Sequence, residues 1–276
     1  MAIDPQETQS ICSEWESERN RHPFAVEKLS EQTIAGCWDD SAKTYSGEEY
    51  AGIREEMLID LIDAGILGED RTMLDIGCGP GLYEKMFSPY VGSICCFDGS
   101  KRMIDRLNAE CSAKGIDNVS SHVCMWEDFD TDEKYDIVFA SLCPPLNNPE
   151  SLLRMESYSR DTCVYVSSAN PTPGMPSEIW AELGKDYSFK GYNTNFPCRY
   201  LCSIGRSPVL KFYSEERRTE MTFKEAVSAQ ERLIRKYMDL TSEVRDIINS
   251  VVSSHVTDGV VEEKKTMTLG MLVWNI

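Results

Sequence analysis

Apolar positions recur along this chain in two alternating patterns: short continuous runs, and longer stretches in which every third or fourth position is apolar. The runs at 72–76, 93–98, 119–124, 135–140 and 162–167 have the length and near-continuous apolar character of strands buried on both faces of a parallel sheet. Between them lie helix-like stretches: Leu82, Met86 and Phe87; then Met103, Ile104, Leu107 and Cys111; then 151–158, started by Asn148-Pro149. Upstream, Ser46 with Glu49 fits a capping box before a helix whose Tyr50, Ile53, Met57, Leu61 and Ile62 share a face. Strand and helix in such alternation predict an α/β fold with a doubly wound parallel sheet.

After Ser168 the pattern changes. Residues 170–206 combine prolines and glycines with a dense set of aromatics, Trp180, Tyr187, Phe189, Tyr192, Phe196 and Tyr200. An insertion there, following the fifth strand, can reach over the carboxyl ends of the strands, where ligands bind in open α/β sheets. It is expected to cover an acceptor through Tyr192 and Phe196, or else to seal a small core of its own. A sixth strand at 209–213, a capping box at Thr222 and Glu225, two helical stretches through Val252 and a last strand at 266–274 complete the chain.

The first strand runs into Asp75-Ile76-Gly77-Cys78-Gly79-Pro80-Gly81, a strand, turn and helix start where backbone must come closer to a ligand than side chains permit. The dinucleotide fingerprint G-x-G-x-x-G would need glycine at position 82, which is Leu82. An acid two residues before the first glycine suits a ligand bearing an amino group. Asp98, 21 residues beyond Gly77, ends the second strand and can accept both hydroxyls of a ribose, or can cap the helix that begins near Ser100.

The D-x-G-x-G-x-G run, followed by Asp98-Gly99-Ser100-Lys101-Arg102-Met103 in the form D-x-S-x-x-M, resembles class I S-adenosylmethionine-dependent methyltransferases. Trp38-Asp39-Asp40-Ser41-Ala42-Lys43-Thr44-Tyr45 is similar to the W-D-x-x-A-x-x-Y approach of the ubiquinone/menaquinone-biosynthesis type (methyltransferase type 11 group). The resemblance, clearest over 38–168, implies a Rossmann-like seven-stranded doubly wound sheet whose last strand inserts antiparallel between the fifth and sixth. It also implies an N-terminal helical cover at 1–46, a methyltransferase domain at 47–276 and a lid insertion at 170–206. By the same resemblance Asp75, Gly77, Cys78, Gly79 and Gly81 hold the methionine end of the cofactor, Asp98 and Gly99 the ribose, and Met103 packs near the adenine, with Tyr45 closing the pocket and Ser141 at its edge. The family's D-A-x-x-L is replaced by Met125-Trp126-Glu127-Asp128-Phe129, so the adenine contact falls to Glu127 or Asp128, or to the ring of Trp126, for which a core position is the alternative. The family's N-P-P-Y is replaced by Cys143-Pro144-Pro145-Leu146; a thiol is a poor acceptor for an amine, which argues against methylation of a base.

Composition narrows the partners. Forty-six acids against 28 bases give a net charge of −18, which repels a phosphate backbone, so nucleic acid is not expected. Arg217-Arg218, Lys224 and 232–236 are interleaved with glutamates and read as solvated helix faces. The 11 cysteines lie mostly in apolar runs as reduced thiols; Cys198 and Cys202 lack a third cysteine at position 205, and three scattered histidines form no zinc pattern, so no metal is expected. No stretch resembles a membrane span or a signal peptide, which predicts a cytoplasmic protein with no membrane partner. The expected activity is in-line methyl transfer from S-adenosylmethionine to a small-molecule acceptor, giving S-adenosylhomocysteine, in a chain that stays open to forming a homodimer. His22, His122, Tyr45 and Tyr192 are the candidates for a base, each with a structural role as its alternative, and positioning with desolvation can suffice without one. The competing readings are a non-catalytic cofactor-binding or regulatory protein and an NAD-dependent oxidoreductase.

Overall fold

A computed structural model describes residues 4–26, 30–43, 45, 50–169 and 174–276. In chain order these form α1 (Pro5–Arg19), α2 (Pro23–Val26), α3 (Glu31–Ser41), α4 (Ala51–Asp63), β1 (Thr72–Ile76), α5 (Glu84–Phe87), β2 (Ser93–Asp98), α6 (Lys101–Lys114), β3 (Val119–Val123), β4 (Tyr135–Ser141), α7 (Pro149–Ser157), β5 (Ser159–Ser168), α8 (Met175–Glu182), α9 (Asn195–Ser203), β6 (Val209–Met221), α10 (Phe223–Ile234), α11 (Ser242–Ser254), β7 (Val256–Thr257) and β8 (Val260–Asn275). The capping box expected at Ser46 and Glu49 lies outside the described residues, as do 170–173 of the insertion. The box at Thr222 and Glu225 is formed, each side chain bonding the other's backbone N–H.

The strands lie in the order β3-β2-β1-β4-β5-β8-β6, with β7 paired to β8. Strands β1 to β5 are parallel, and β8 runs antiparallel between β5 and β6. The sheet is therefore the expected Rossmann-like doubly wound one, with eight strands in place of seven. The extra strand, β7, comes from a tight hairpin: Val256 pairs with Val261 and Thr257 with Val260, and the two turn residues Asp258 and Gly259 both have positive φ, 50° and 83°. Asp-Gly is the dipeptide such a turn favours.

Two cores flank the sheet. One joins α1, α7 and α9 to one face through Ile11, Trp15, Phe97, Leu152, Met155, Phe196 and Trp274; the other joins α4 and α6 through Ile53, Met57, Leu61, Ile104 and Leu107. A third core gathers Met175, Ile179 and Trp180 of α8 with Ala226, Ile234, Ile248 and Val252 of α10 and α11, and Val261 of β8. The aromatic insertion thus divides. Its α8 half seals a core with the C-terminal helices, and its α9 half covers the sheet beside α1.

The basic residues at 217 and 218 sit on neither helix nor patch. β6 and β8 extend well beyond the expected strands into a ribbon in which Arg217 faces Lys265 and Arg218 faces Lys264 in register. Glu216 and Glu262 lie among them, with Lys264 to Glu216 at 2.8 Å and Arg218 to Glu216 at 3.4 Å. Helical periodicity was the wrong reading because consecutive charges on an extended ribbon alternate between two solvated faces.

Candidate cofactor-binding site

At the carboxyl end of β1 the chain turns through Gly77, Gly79 and Gly81, at φ 77°, 55° and 78°, a region that favours glycine. The turn is tied to β2: Gly77 and Cys78 N–H both donate to the Phe97 carbonyl, at 2.9 and 3.1 Å. The three glycines differ in what surrounds them. A Cβ at Gly77 would lie 2.7 Å from Cys143 Sγ, and one at Gly81 would lie 2.7 Å from Leu107 Cγ, whereas at Gly79 nothing stands within 4 Å. Gly77 and Gly81 make room for protein; Gly79 faces open space.

Asp98, at the end of β2, accepts from Gly79 N–H at 3.0 Å with one carboxylate oxygen and from Ser100 N–H at 2.8 Å with the other. It therefore organises the glycine turn and the start of α6 together, and each oxygen keeps a second lone pair for a hydroxyl. Burial, only partly offset by these two bonds, raises its pKa. Gly99 backs onto Met125, whose sulfur occupies the place of a Cβ. Met103, in the first turn of α6, is buried and is capped by Ser100 Oγ at 3.2 Å.

The Trp38-to-Tyr45 segment is clamped onto α6. Ser100 Oγ donates to Asp39 Oδ1 at 2.5 Å and Arg102 N–H to the same oxygen at 3.1 Å, while the Arg106 guanidinium donates to the Ala42 carbonyl at 3.1 Å and to that of Tyr45. The Ser100 hydroxyl holds Asp39 below the usual carboxylate range. The Tyr45 ring itself is exposed. Neither Asp39 nor Arg106 stood among the expected site residues, although Asp39 lies inside the W-D motif that pointed to the segment. At the end of β4, Ser141 Oγ donates to Tyr83 Oη at 3.1 Å, and Leu142 takes φ 49°.

Packing explains where four of the expected contact residues lie. Trp126 is a core residue: its ring lies parallel to Phe97 with the Arg154 guanidinium 4.3 Å from its centroid, and its N–H donates to Ser151 Oγ at 3.3 Å. Its hydrophobic surface is thereby consumed, which leaves exposed Glu127 and Asp128 as the polar groups of that turn. Phe196 stacks on Trp15 in the core between α1 and α9, centroids 6.1 Å apart, so it is a helix-packing residue instead of a lid residue. Asp75 is 2% exposed and lies beside Glu84, where burial together with the Glu84 charge raises its pKa. Cys78, the turn's other predicted contact, is also buried.

Tyr192 lies beside the carboxyl end of β5. Its carbonyl accepts from Ser167 Oγ at the carboxyl end of β5, at 2.8 Å, and its ring lies 4.0 Å from that of His22, with Phe189 at 5.0 Å and Tyr237 at 6.1 Å from the same imidazole. Burial pulls the His22 pKa down to about 4 and pushes that of Tyr237 up to about 12, so this group is neutral at pH 7. Beside it, Lys236 Nζ lies 4.7 Å from the Trp38 ring, and burial lowers the lysine's pKa. Helix α3 thus touches both places, the cofactor side through Asp39 and the aromatic side through Trp38. His122 is exposed on edge strand β3, apart from this group.

Residues 73–156 match the methyltransferase domain family. Among solved structures, the chain is similar to a protein of Bacillus halodurans C-125 assigned to the methyltransferases, with 15% identity, 79% of this chain and 97% of that one covered and a TM-score of 0.52. It is also similar to a cyclopropane-fatty-acyl-phospholipid synthase-like protein of Lactobacillus casei ATCC 334, with 12% identity, 81% and 90% covered and a TM-score of 0.53. No curated protein matches the sequence.

Proposed function

We propose that this chain, a class I S-adenosylmethionine-dependent methyltransferase whose cofactor leaves as S-adenosylhomocysteine, methylates a small molecule held against His22, Phe189, Tyr192 and Tyr237. One observation carries the reading: an aromatic group, with His22 buried and Phe189, Tyr192 and Tyr237 half-buried around it, stands at the carboxyl end of β5 through Tyr192 and Ser167 and is linked to the glycine-turn side by α3. Such a group suits a flat or apolar acceptor and excludes water from it.

The bound cofactor supplies a methyl group already activated by its sulfonium. The chain's residues supply position. The open face of Gly79 admits the methionine end, the spare lone pairs of Asp98 receive ribose hydroxyls, and exposed Glu127 or Asp128 is placed for the adenine amino group. Asp39 and Arg106 hold the covering segment on α6, so that Tyr45 can close over the same side. With an activated methyl, alignment and desolvation account for most of the acceleration, and neutral His22 is positioned to orient an acceptor without being required as a base.

A small acceptor fits the charge balance better than a nucleic acid, since Arg218 and Lys264 of the ribbon already pair with Glu262 and Glu216. No helix among the described residues is long and apolar enough to cross a membrane, in keeping with a cytoplasmic location. Calorimetry with S-adenosylmethionine, S-adenosylhomocysteine and NAD, followed by mass-spectrometric search for methylated product in an acceptor panel, tests the proposal. Cofactor binding with NAD inert and product from a small aromatic acceptor is the expected result. Turnover confined to protein or nucleic-acid acceptors would overturn it.

A further inference from the structure

Beside the glycine turn, three elements bring soft and hard donors together. The Sγ of Cys78 in the turn, a carboxylate oxygen of Glu84 at the start of α5 and the Sγ of Cys96 in β2 all lie within 4.8 Å of one another, and all three residues are buried. Register adds a fourth group. Asp75 is the direct partner of Cys96 on the adjacent parallel strand, which sends both side chains to one face of the sheet. Glu84, which is 1% exposed, turns its carboxyl to that of Asp75 and to the Cys96 thiol.

A buried carboxyl pair is costly to ionise. Removing an ionised carboxyl from water without compensating bonds costs several kcal/mol, and placing a second beside it adds repulsion. The neighbouring cation, Lys85, is turned to Glu110. Two thiols and a carboxyl within reach of one point, with a second carboxyl beside them, form the donor set of a borderline-soft divalent cation, because thiolates select zinc over magnesium or calcium and a carboxylate oxygen completes such a site. Zinc bonds of about 2.0 to 2.3 Å place tetrahedral ligand atoms roughly 3.5 Å apart. Donors already within 4.8 Å need only a small inward movement.

We propose that Cys78, Glu84 and Cys96 form a buried structural zinc site, with Asp75 as its fourth group, that pins the glycine turn. Zinc is neither oxidised nor reduced in this step. The two S–H bonds break as the two Zn–S bonds form, and their protons, with any proton shared by the carboxyl pair, leave to solvent. The site is closed, so its role is to fix the turn and not to meet the acceptor. Sequence spacing hides it because its donors come from a turn, a helix and two strands, whereas the familiar zinc spacings come from paired ligands on one short loop.

The test uses the full chain expressed in zinc-supplemented medium, with metal content measured by plasma mass spectrometry after gel filtration. One zinc per chain is expected, removed by a strong chelator with loss of thermal stability. Reconstitution of the stripped protein with cobalt should give thiolate-to-cobalt charge-transfer absorption and intense tetrahedral visible bands. Cys96→Ser should lose the charge-transfer intensity in part, and Glu84→Gln should weaken cobalt affinity at least about tenfold. Circular dichroism of each variant separates a lost site from a lost fold, and cobalt titration of the stripped wild type stands independently of both. Zinc far below one per chain together with no cobalt spectrum, or a Cys78–Cys96 disulfide in the protein as purified, would overturn the site and leave a protonated carboxyl pair beside two cysteines.

Discussion

At the residue scale, the three glycines of the turn make different demands although they share a left-handed backbone. Gly79→Ala meets no neighbouring atom, so its cost to folding is the φ penalty of about 1 to 2 kcal/mol, while the new methyl fills the space meant for ligand. Gly81→Ala carries the same penalty and also drives into Leu107, 2.7 Å away. Calorimetry should therefore find S-adenosylhomocysteine affinity lost in a folded Gly79→Ala protein, and thermal melts should find Gly81→Ala the less stable of the two. Asp98 requires a graded test because it already serves two backbone N–H groups. Asp98→Ala removes the ribose acceptor and loosens both turn and helix, and should weaken the cofactor at least about tenfold, in line with charge-assisted bonds of about 1.5 to 3 kcal/mol. Asp98→Asn, which keeps one acceptor oxygen, should fall between it and wild type; equal affinity across all three would remove Asp98 from the site.

At the element scale, α3 and α9 show why one aromatic segment serves two ends. Phe196 and Tyr192 lie four residues apart, yet Phe196 locks α9 to α1 through Trp15 and Tyr192 stands beside His22. Phe196→Ala should cost about 3 to 5 kcal/mol of stability, as for a buried phenylalanine, seen as an early urea transition. Tyr192→Ala should instead reduce acceptor turnover while S-adenosylhomocysteine affinity stays within a few-fold. If both variants lost stability alike and kept turnover, Tyr192 would be another core residue. Helix periodicity makes Trp180, Phe196 and Tyr200 look like a single aromatic insertion, because sequence shows how many apolar rings a segment has and not which neighbour each ring meets. For α3 the sequence showed Trp38 and Asp39 as part of a motif. Their partners, Lys236 and Ser100, are distant along the chain and became visible only when α3 docked.

At the scale of the whole molecule, a buried neutral histidine makes stability depend on pH. His22 titrates at about 4 when folded, against an ordinary 6.5, because burial disfavours the imidazolium, with Phe189, Tyr192 and Tyr237 packed around it. Between pH 6.5 and about 4 the unfolded chain takes up a proton that the folded chain refuses. Stability therefore falls as pH falls through that window, by at most about 3 kcal/mol from this group, and is unaffected by it above 6.5. Urea melts at pH 7.5 and pH 5 should show a smaller acid loss in His22→Phe than in wild type; equal losses would mean that the imidazole is not held neutral.

What the sequence determined by itself is what depends on near neighbours in the chain. The strands β1 to β5, the glycine turn, the cap at Thr222 and the acid ending β2 were all legible, since period, turn chemistry and capping act over a few residues. Strand β7, at two residues, is too short to show a period of its own. Tertiary structure decided what depends on groups far apart in the chain: that Trp126 spends its ring on Phe97 and Arg154, that Asp75 is buried beside Glu84, that charges at 217 and 218 ride a β-ribbon, and that Asp39 closes on α6. In each case a local pattern allowed several partners, and the choice was made by which buried group had to be covered or satisfied once the sheet had formed.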